Sequence, residues 1–151
     1  MKNKEARILI VEDQKWTLKA LENAVEKVIP KFYSSHTCDV AKSYNEVIGA
    51  MGNRYDLILL DHMMPIDNVG DLEDRDMYAF SETLRGIGYS LISVIYEVIG
   101  RDTVIIGTSS LDADELRNEE KPMYTMSKMW NEAEKDLERI LTNIENLEER
   151  K

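Results

Sequence analysis

Apolar residues fall along this chain in two rhythms. Short unbroken runs stand at 7–11 (R-I-L-I-V), 57–60 (L-I-L-L) and 103–107 (T-V-I-I-G). Each is too short for a helix and rich in aliphatic side chains, which predicts strands buried on both faces. Between them, apolar residues recur at steps of three and four. Trp16, Leu18, Leu21, Val25 and Val28 predict a helix over 14–29, ended by Pro30. Residues 43–51 read as a shorter helix, with Ser43 as N-cap and Gly52 as its stop. Phe80, Leu84, Ile87, Leu91, Ile95 and Val98 share one stripe and predict helix over 77–99, which Gly86 and Gly88 divide in two. A polar helix is predicted over 111–120 and a long closing helix over 129–150. Weaker strands fall at 32–40 and 123–127. The polar segment 66–76 reads as a loop, and its acids (Asp67, Asp71, Glu73, Asp74, Asp76) lack the spacing of a calcium loop.

Five strands alternating with helices predict a parallel sheet covered on both faces. A length of 151 residues suits one doubly wound α/β domain with a single core, spanning 1–151.

In such a sheet, ligands sit at the carboxyl ends of the strands. The first strand runs into Glu12 and Asp13, the central one into Asp61, the next into Thr108 and Ser109, and the last into Lys128. Taken singly these are commonplace. An acid pair, or a Ser or Thr, after a strand often only caps the next helix. Taken together they place three carboxylates, a hydroxyl and an ammonium at one edge. Crowded carboxylates raise one another's pKa, and they become tolerable around a divalent cation, for which an all-oxygen set suits Mg²⁺. An aspartate there can attack a phosphoryl group. The hydroxyl and the ammonium can then hold the transferred oxygens.

The stretches I-L-I-V-E-D (8–13), Y-D-L-I-L-L-D-H-M-M-P (55–65) and V-I-I-G-T-S (104–109), with a lysine near 128, resemble the receiver domain of two-component response regulators. Residues 61–65 match that family's D-x-x-M-P signature. The resemblance covers nearly the whole chain and implies the flavodoxin-like order of five parallel strands with helices on both faces. It implies Asp61 as phosphoacceptor, Thr108 as switch hydroxyl and Lys128 as the phosphate-pairing lysine. It implies Mg²⁺ as cofactor, held directly by Asp13, largely through water by Glu12, and by Asp61 and the Met63 carbonyl. It further implies a histidine kinase or phosphotransfer protein as phosphodonor and a separate output protein as partner. The chain would then be a stand-alone phosphoacceptor rather than an enzyme with turnover.

Three departures from the family pattern stand out. The family's lysine is usually followed by proline; here Lys121 precedes Pro122, while Lys128 precedes Met129. Lys128 follows Y-T-M-S, which can form a strand, and leads into the last helix, so it is the favoured of the two. The position three before it, often aromatic in the family, is Thr125, with Tyr124 one residue off. Gly70 comes one residue later than the family's short M-P-x-x-x-G turn. These departures keep open a pseudo-receiver that binds proteins without being phosphorylated. An aspartate-nucleophile phosphatase would want a second aspartate two residues after the first, and that residue is Met63.

Charge and composition narrow the partners. A net charge of −10 opposes general affinity for nucleic acid or anionic membranes. No apolar run approaches the roughly 18 residues of a membrane span, and the start has no cleavage site of the kind a signal peptide carries. The single cysteine, Cys38, fits a reducing cytoplasm. Trp130, Ala133, Leu137, Ile140, Ile144 and Leu147 alternate threes and fours, an a/d seam. Its first half is expected to pack on the sheet, with a homodimer through the distal turns as the alternative use of the rest. No DNA-binding module is expected after Lys128. His62, next to Asp61, is expected to line the rim, with tuning the access of water or a phosphodonor as the alternative; Trp16 and Tyr44 are expected to line the core or the rim.

Overall fold

The computed structural model describes residues 3–109 and 120–150. Along the chain run β1 (Glu5–Val11), α1 (Lys15–Val28), β2 (Ser35–Ala41), α2 (Tyr44–Ala50), β3 (Leu57–Leu60), β4 (Met63–Met64), α3 (Leu72–Arg75), α4 (Met77–Glu82), β5 (Arg85–Gly86), α5 (Leu91–Val98), β6 (Val104–Gly107), β7 (Tyr124–Thr125) and α6 (Trp130–Glu149). Residues 111–119 of the helix predicted over 111–120 lie outside the described residues. The main sheet has the order β2-β1-β3-β6-β7 and is parallel throughout. This is the flavodoxin-like arrangement.

The apolar runs are unbroken because each strand feeds two cores, one residue at a time. Ile8, Ile10, Leu57, Leu59 and Ile106 face a core closed by Leu21, Val25 and Val28 of α1 and by Leu137, Ile140 and Leu141 of α6. Leu9, Val11, Ile58, Leu60 and Ile105 face the other, closed by Val47 of α2 and by Ile92 and Ile95 of α5. Ala133 is also buried and Ile144 half-buried, so the seam of α6 is used within the molecule through most of its length. Trp130 and Leu147 are its exposed members. No described helix is long and apolar enough to cross a membrane.

Two strand pairings fix the site. Val11 lies level with Leu60, and Leu60 level with Gly107. Three neighbouring strands therefore end at one height. The residues that follow them, Glu12, Asp61 and Thr108, stand side by side.

Local chemistry sets the helix starts. Ser43 accepts the Glu46 amide at 3.1 Å, and the Glu46 carboxylate reaches back to the Lys42 amide at 2.6 Å. This is a capping box displaced by one residue. Asp76 caps α4 through the Ala79 amide at 3.1 Å. The N-cap of α1, Gln14, makes no side-chain cap. The Lys15 amide instead donates to Glu73, 58 residues along the chain, at 2.9 Å. The acidic segment 66–76 is thus no open loop. It contains α3 and is tied to the start of α1 by Glu73. Bonds from Asn45 to Asp67 (2.6 Å) and from Asn68 to Glu46 (2.9 Å) tie it to α2.

The stripe over 77–99 divides into two helices around Gly86 and Gly88, as expected, but the break between them is wide and structured. The first helix ends at Glu82, and Arg85–Gly86 pair antiparallel with Met63–Met64. A 3₁₀ turn, Gly88–Ser90, then leads into α5. The cause is contact rather than propensity. A methyl group on Gly88 would overlap the Asp61 carbonyl oxygen, so this turn presses directly on the end of β3. Trp16, at 68% exposure, lies on the rim.

Candidate functional site

The level strand ends bring the acids together. One carboxylate oxygen from each of Glu12, Asp13 and Asp61 can be chosen so that all lie within 4.8 Å of one another. Lys128 enters from the segment between β7 and α6. Its ammonium lies 2.8 Å from Glu12 Oε1 and 2.9 Å from Asp61 Oδ1. Asp61 Oδ1 also accepts the His62 amide at 2.8 Å. Glu12 Oε2 accepts the amides of Gln14 at 3.0 Å and Asp13 at 3.2 Å. Lys121 is exposed and makes no ion pair among the described residues. The geometry thus joins Lys128, not Lys121, to the acids. No peptide bond among the described residues is cis.

Three carboxylates share one ammonium, and the protonation of Asp13 and Asp61 reflects the shortfall. Burial, then the charge of Glu12, pushes the Asp13 carboxyl up to about 8. Burial and Glu12 push Asp61 up to about 6 against the pull of Lys128. Burial works against the Lys128 ammonium, but Glu12 and then Asp61 outweigh it, and its pKa is raised.

Four buried polar atoms here have no hydrogen-bond partner: Glu12 Oε1, both oxygens of Asp13, and Thr108 Oγ1. Glu12 Oε1 is met by the Lys128 ammonium at 2.8 Å, which leaves the two Asp13 oxygens and Thr108 Oγ1. Burying such atoms unsatisfied is costly, and nothing in the core requires them there. Their types divide cleanly: carboxylate oxygens suit a hard divalent cation, and a hydroxyl suits an oxyanion beside it. The residues present therefore fit Mg²⁺. The carbonyl of His62 takes the amides of Ile87 (3.1 Å) and Gly88 (2.8 Å), and neither bond involves the Met63 carbonyl.

Two residues at the site carry more than their sequence suggested. His62 is buried, and its Nδ1 accepts the Tyr89 amide at 3.0 Å. Its ring lies against the Tyr89 ring, centroids 4.7 Å apart. Tyr89 is 1% exposed, and its hydroxyl accepts the Ser109 amide at 3.2 Å, one residue past Thr108. Burial raises the phenol pKa and keeps it protonated. Tyr124 packs against the α1–α6 core, and Thr125 is exposed. The aromatic side chain bonded beside Thr108 therefore comes from the turn before α5.

The raised carboxyl values carry a testable sign. The folded protein holds protons on Asp61 and Asp13 that the unfolded chain releases near the ordinary value of 3.8. Stability without divalent cations should therefore fall as pH rises from about 4. The fall continues to about 6 for Asp61 and about 8 for Asp13. Asp61 alone accounts for on the order of 3 kcal/mol. Urea midpoints at pH 5 and pH 8 in chelator should show the loss. Mg²⁺, which binds the ionised carboxylates, should reduce it. A midpoint that rises with pH in chelator would contradict this account of the cluster.

No family model matches the chain, and no curated protein matches its sequence. Solved structures do share its fold. The RcsB response regulator of Salmonella typhimurium matches with a TM-score of 0.62 at 16% identity, over 97% of this chain and 61% of that one. The chain thus spans about three fifths of the length of that structure. A two component transcriptional regulator AraC from Clostridium phytofermentans matches with a TM-score of 0.59 at 20% identity, over 97% of this chain and 99% of the other. At these identities the likeness is one of fold. The chain has the flavodoxin-like α/β fold and shares it with two-component response regulators.

Proposed function

We propose that the chain is a receiver that takes a phosphoryl group onto Asp61 and presents the change to a protein partner. The observation that carries this is the set of unsatisfied buried atoms on Asp13 and Thr108, gathered with Glu12 around an aspartate that Lys128 already touches. Glu12, Asp13, Asp61 and the Met63 carbonyl would hold Mg²⁺, which supplies positive charge to the phosphoryl oxygens. Asp61 Oδ1 is fixed by the His62 amide and Lys128, and Oδ2 carries the attack. A new O–P bond forms as the P–N bond of a donor phosphohistidine breaks, and the imidazole leaves with the bond's electron pair. Thr108 Oγ1 donates to one phosphoryl oxygen, and the Lys128 ammonium offsets the charge of another. The donor is a histidine kinase or phosphotransfer protein, and the output is a separate protein. The chain is a phosphoacceptor, with no substrate turned over beyond its own phosphoryl group.

A second reading has one observation in its favour. Lys128 pairs with Glu12 and Asp61 at once, which partly neutralises the cluster without a metal. A protein-binding domain that is never phosphorylated would need no more. One experiment separates the two readings. The protein is incubated with Mg²⁺ and either a small acyl phosphate or a phosphorylated histidine phosphotransfer protein, and its intact mass is measured. The expected result is one added phosphoryl group, labile to hydroxylamine and mapping to Asp61. No adduct from either donor, or an adduct elsewhere, would overturn the phosphoacceptor reading in favour of the binding domain.

A further inference from the structure

Thr108 Oγ1 is buried without a partner, so its use depends on how its backbone is held. Among the described residues, the Gly107 carbonyl ahead of it accepts the Met126 amide at 2.9 Å, and two amides that donate hold the rest. The Thr108 amide donates to the Leu60 carbonyl at 2.9 Å, and the next amide, Ser109, donates to the Tyr89 hydroxyl at 3.2 Å. The first is a rung of the sheet. The second comes from outside the sheet, and two glycines make room for it. A methyl group on Gly107 would press on the Tyr89 hydroxyl, and one on Gly88 would overlap the Asp61 carbonyl oxygen.

The same turn is anchored at its other end to the residue after Asp61. The His62 carbonyl accepts the amides of Ile87 and Gly88, its Nδ1 accepts the Tyr89 amide, and its own amide donates to Asp61 Oδ1. A continuous chain of bonds therefore runs from Asp61 Oδ1 through His62 and Tyr89 to Ser109. The Tyr89 ring fills the α2–α5 core, which accounts for its burial. Packing accounts for the ring alone; a phenylalanine would fill the same space without the hydroxyl.

We infer that Tyr89 is a positioning residue for the phosphoryl site, its hydroxyl fixing the backbone at Ser109 so that Thr108 Oγ1 meets an oxygen of the group on Asp61. The inference rests on the phosphoacceptor reading of Asp61. Tyr89 acts through Thr108 and bonds to none of the three carboxylates. Its loss therefore weakens the hold on the phosphoryl group and leaves the hold on the cation unchanged. It also explains why a residue so far along the chain is tied to both ends of the site.

The test is a double-mutant cycle on the full chain with Tyr89→Phe and Thr108→Ala. Affinity is measured by calorimetry for Mg²⁺ alone and for beryllofluoride, a phosphoryl mimic, in saturating Mg²⁺. Tyr89→Phe is expected to weaken beryllofluoride about tenfold and leave Mg²⁺ affinity unchanged. In the Thr108→Ala background the same change should cost nothing further. Wild-type affinity for beryllofluoride in Tyr89→Phe overturns the inference. So does an equal loss for Mg²⁺ and beryllofluoride, which marks a general loosening, and so does a loss that adds fully to that of Thr108→Ala. No binding of beryllofluoride by the wild-type protein overturns the phosphoacceptor reading itself, and the role of Tyr89 with it.

Discussion

Asp61→Asn should abolish phosphoryl uptake and make the protein more stable. Both effects come from one carboxylate. Asparagine keeps the shape and an oxygen for the His62 amide, which Asp61 Oδ1 now accepts at 2.8 Å. It removes the anion proposed to attack phosphorus, so uptake should fall below detection. It also removes one of three crowded negative charges. The Asp61 carboxyl is pushed up to about 6 by burial and by Glu12, so holding it ionised near pH 8 opposes folding. Relieving that opposition should add roughly 1–3 kcal/mol in chelator at pH 8. The gain should shrink towards pH 5, where the wild-type carboxyl holds its proton. Lys128 keeps Glu12 at 2.8 Å and is not left alone. Chemical denaturation of both proteins at the two pH values measures this. A variant less stable than wild type at pH 8 would mean that the Asp61–Lys128 pair outweighs the repulsion.

Lys128→Met should act in the opposite direction. The ammonium is the one cation within 4 Å of Glu12 and Asp61 among the described residues. Without it, two buried carboxylates lose their shared partner, a change that typically costs about 3–5 kcal/mol. The cost should be largest at pH 8 and smaller at pH 5, where the acids can take up protons instead. Mg²⁺ should recover part of it by supplying positive charge. Phosphoryl uptake should also slow, since the charge that offsets the transferred group is gone. Lys121→Met is the control. Lys121 is exposed, and its loss should change stability by no more than about 0.5 kcal/mol. Equal effects from the two substitutions would remove Lys128 from the role proposed for it.

Much of this arrangement could be read from the chain before the structure. The apolar residues of 8–11, 57–60 and 104–106 announced buried strands, because residues alternating between two cores leave no polar position. Once those strands are parallel and end level, Glu12, Asp61 and Thr108 must be neighbours. Lys128 was harder, since a proline follows Lys121; its strand-capable flank pointed to the lysine that lies 2.9 Å from Asp61. Gly86 and Gly88 marked the break between two helices correctly; the strand pairing within the break, and the contact with Asp61 that keeps Gly88 small, were not legible. No local pattern reports a contact between residues so distant along the chain. Tyr89 stayed hidden for the same reason, as did the cap that Glu73 places on α1. Trp16 could be assigned only to core or rim, because helical spacing describes a face without saying where the sheet beneath it stops; it lies on the rim.

The chain's two tryptophans occupy unusual ground. Trp16 is 68% exposed and Trp130 47%, and with Lys128 they line a groove of about 390 Å³ at the mouth of the site. Neither indole lies in a core. Their emission should therefore start red-shifted in the native state and change little when the protein unfolds, so the usual optical signal of denaturation is nearly silent. Circular dichroism must follow unfolding instead. What the indoles do report is coverage of the groove: a partner seated there would shift their emission to the blue and shield them from soluble quenchers.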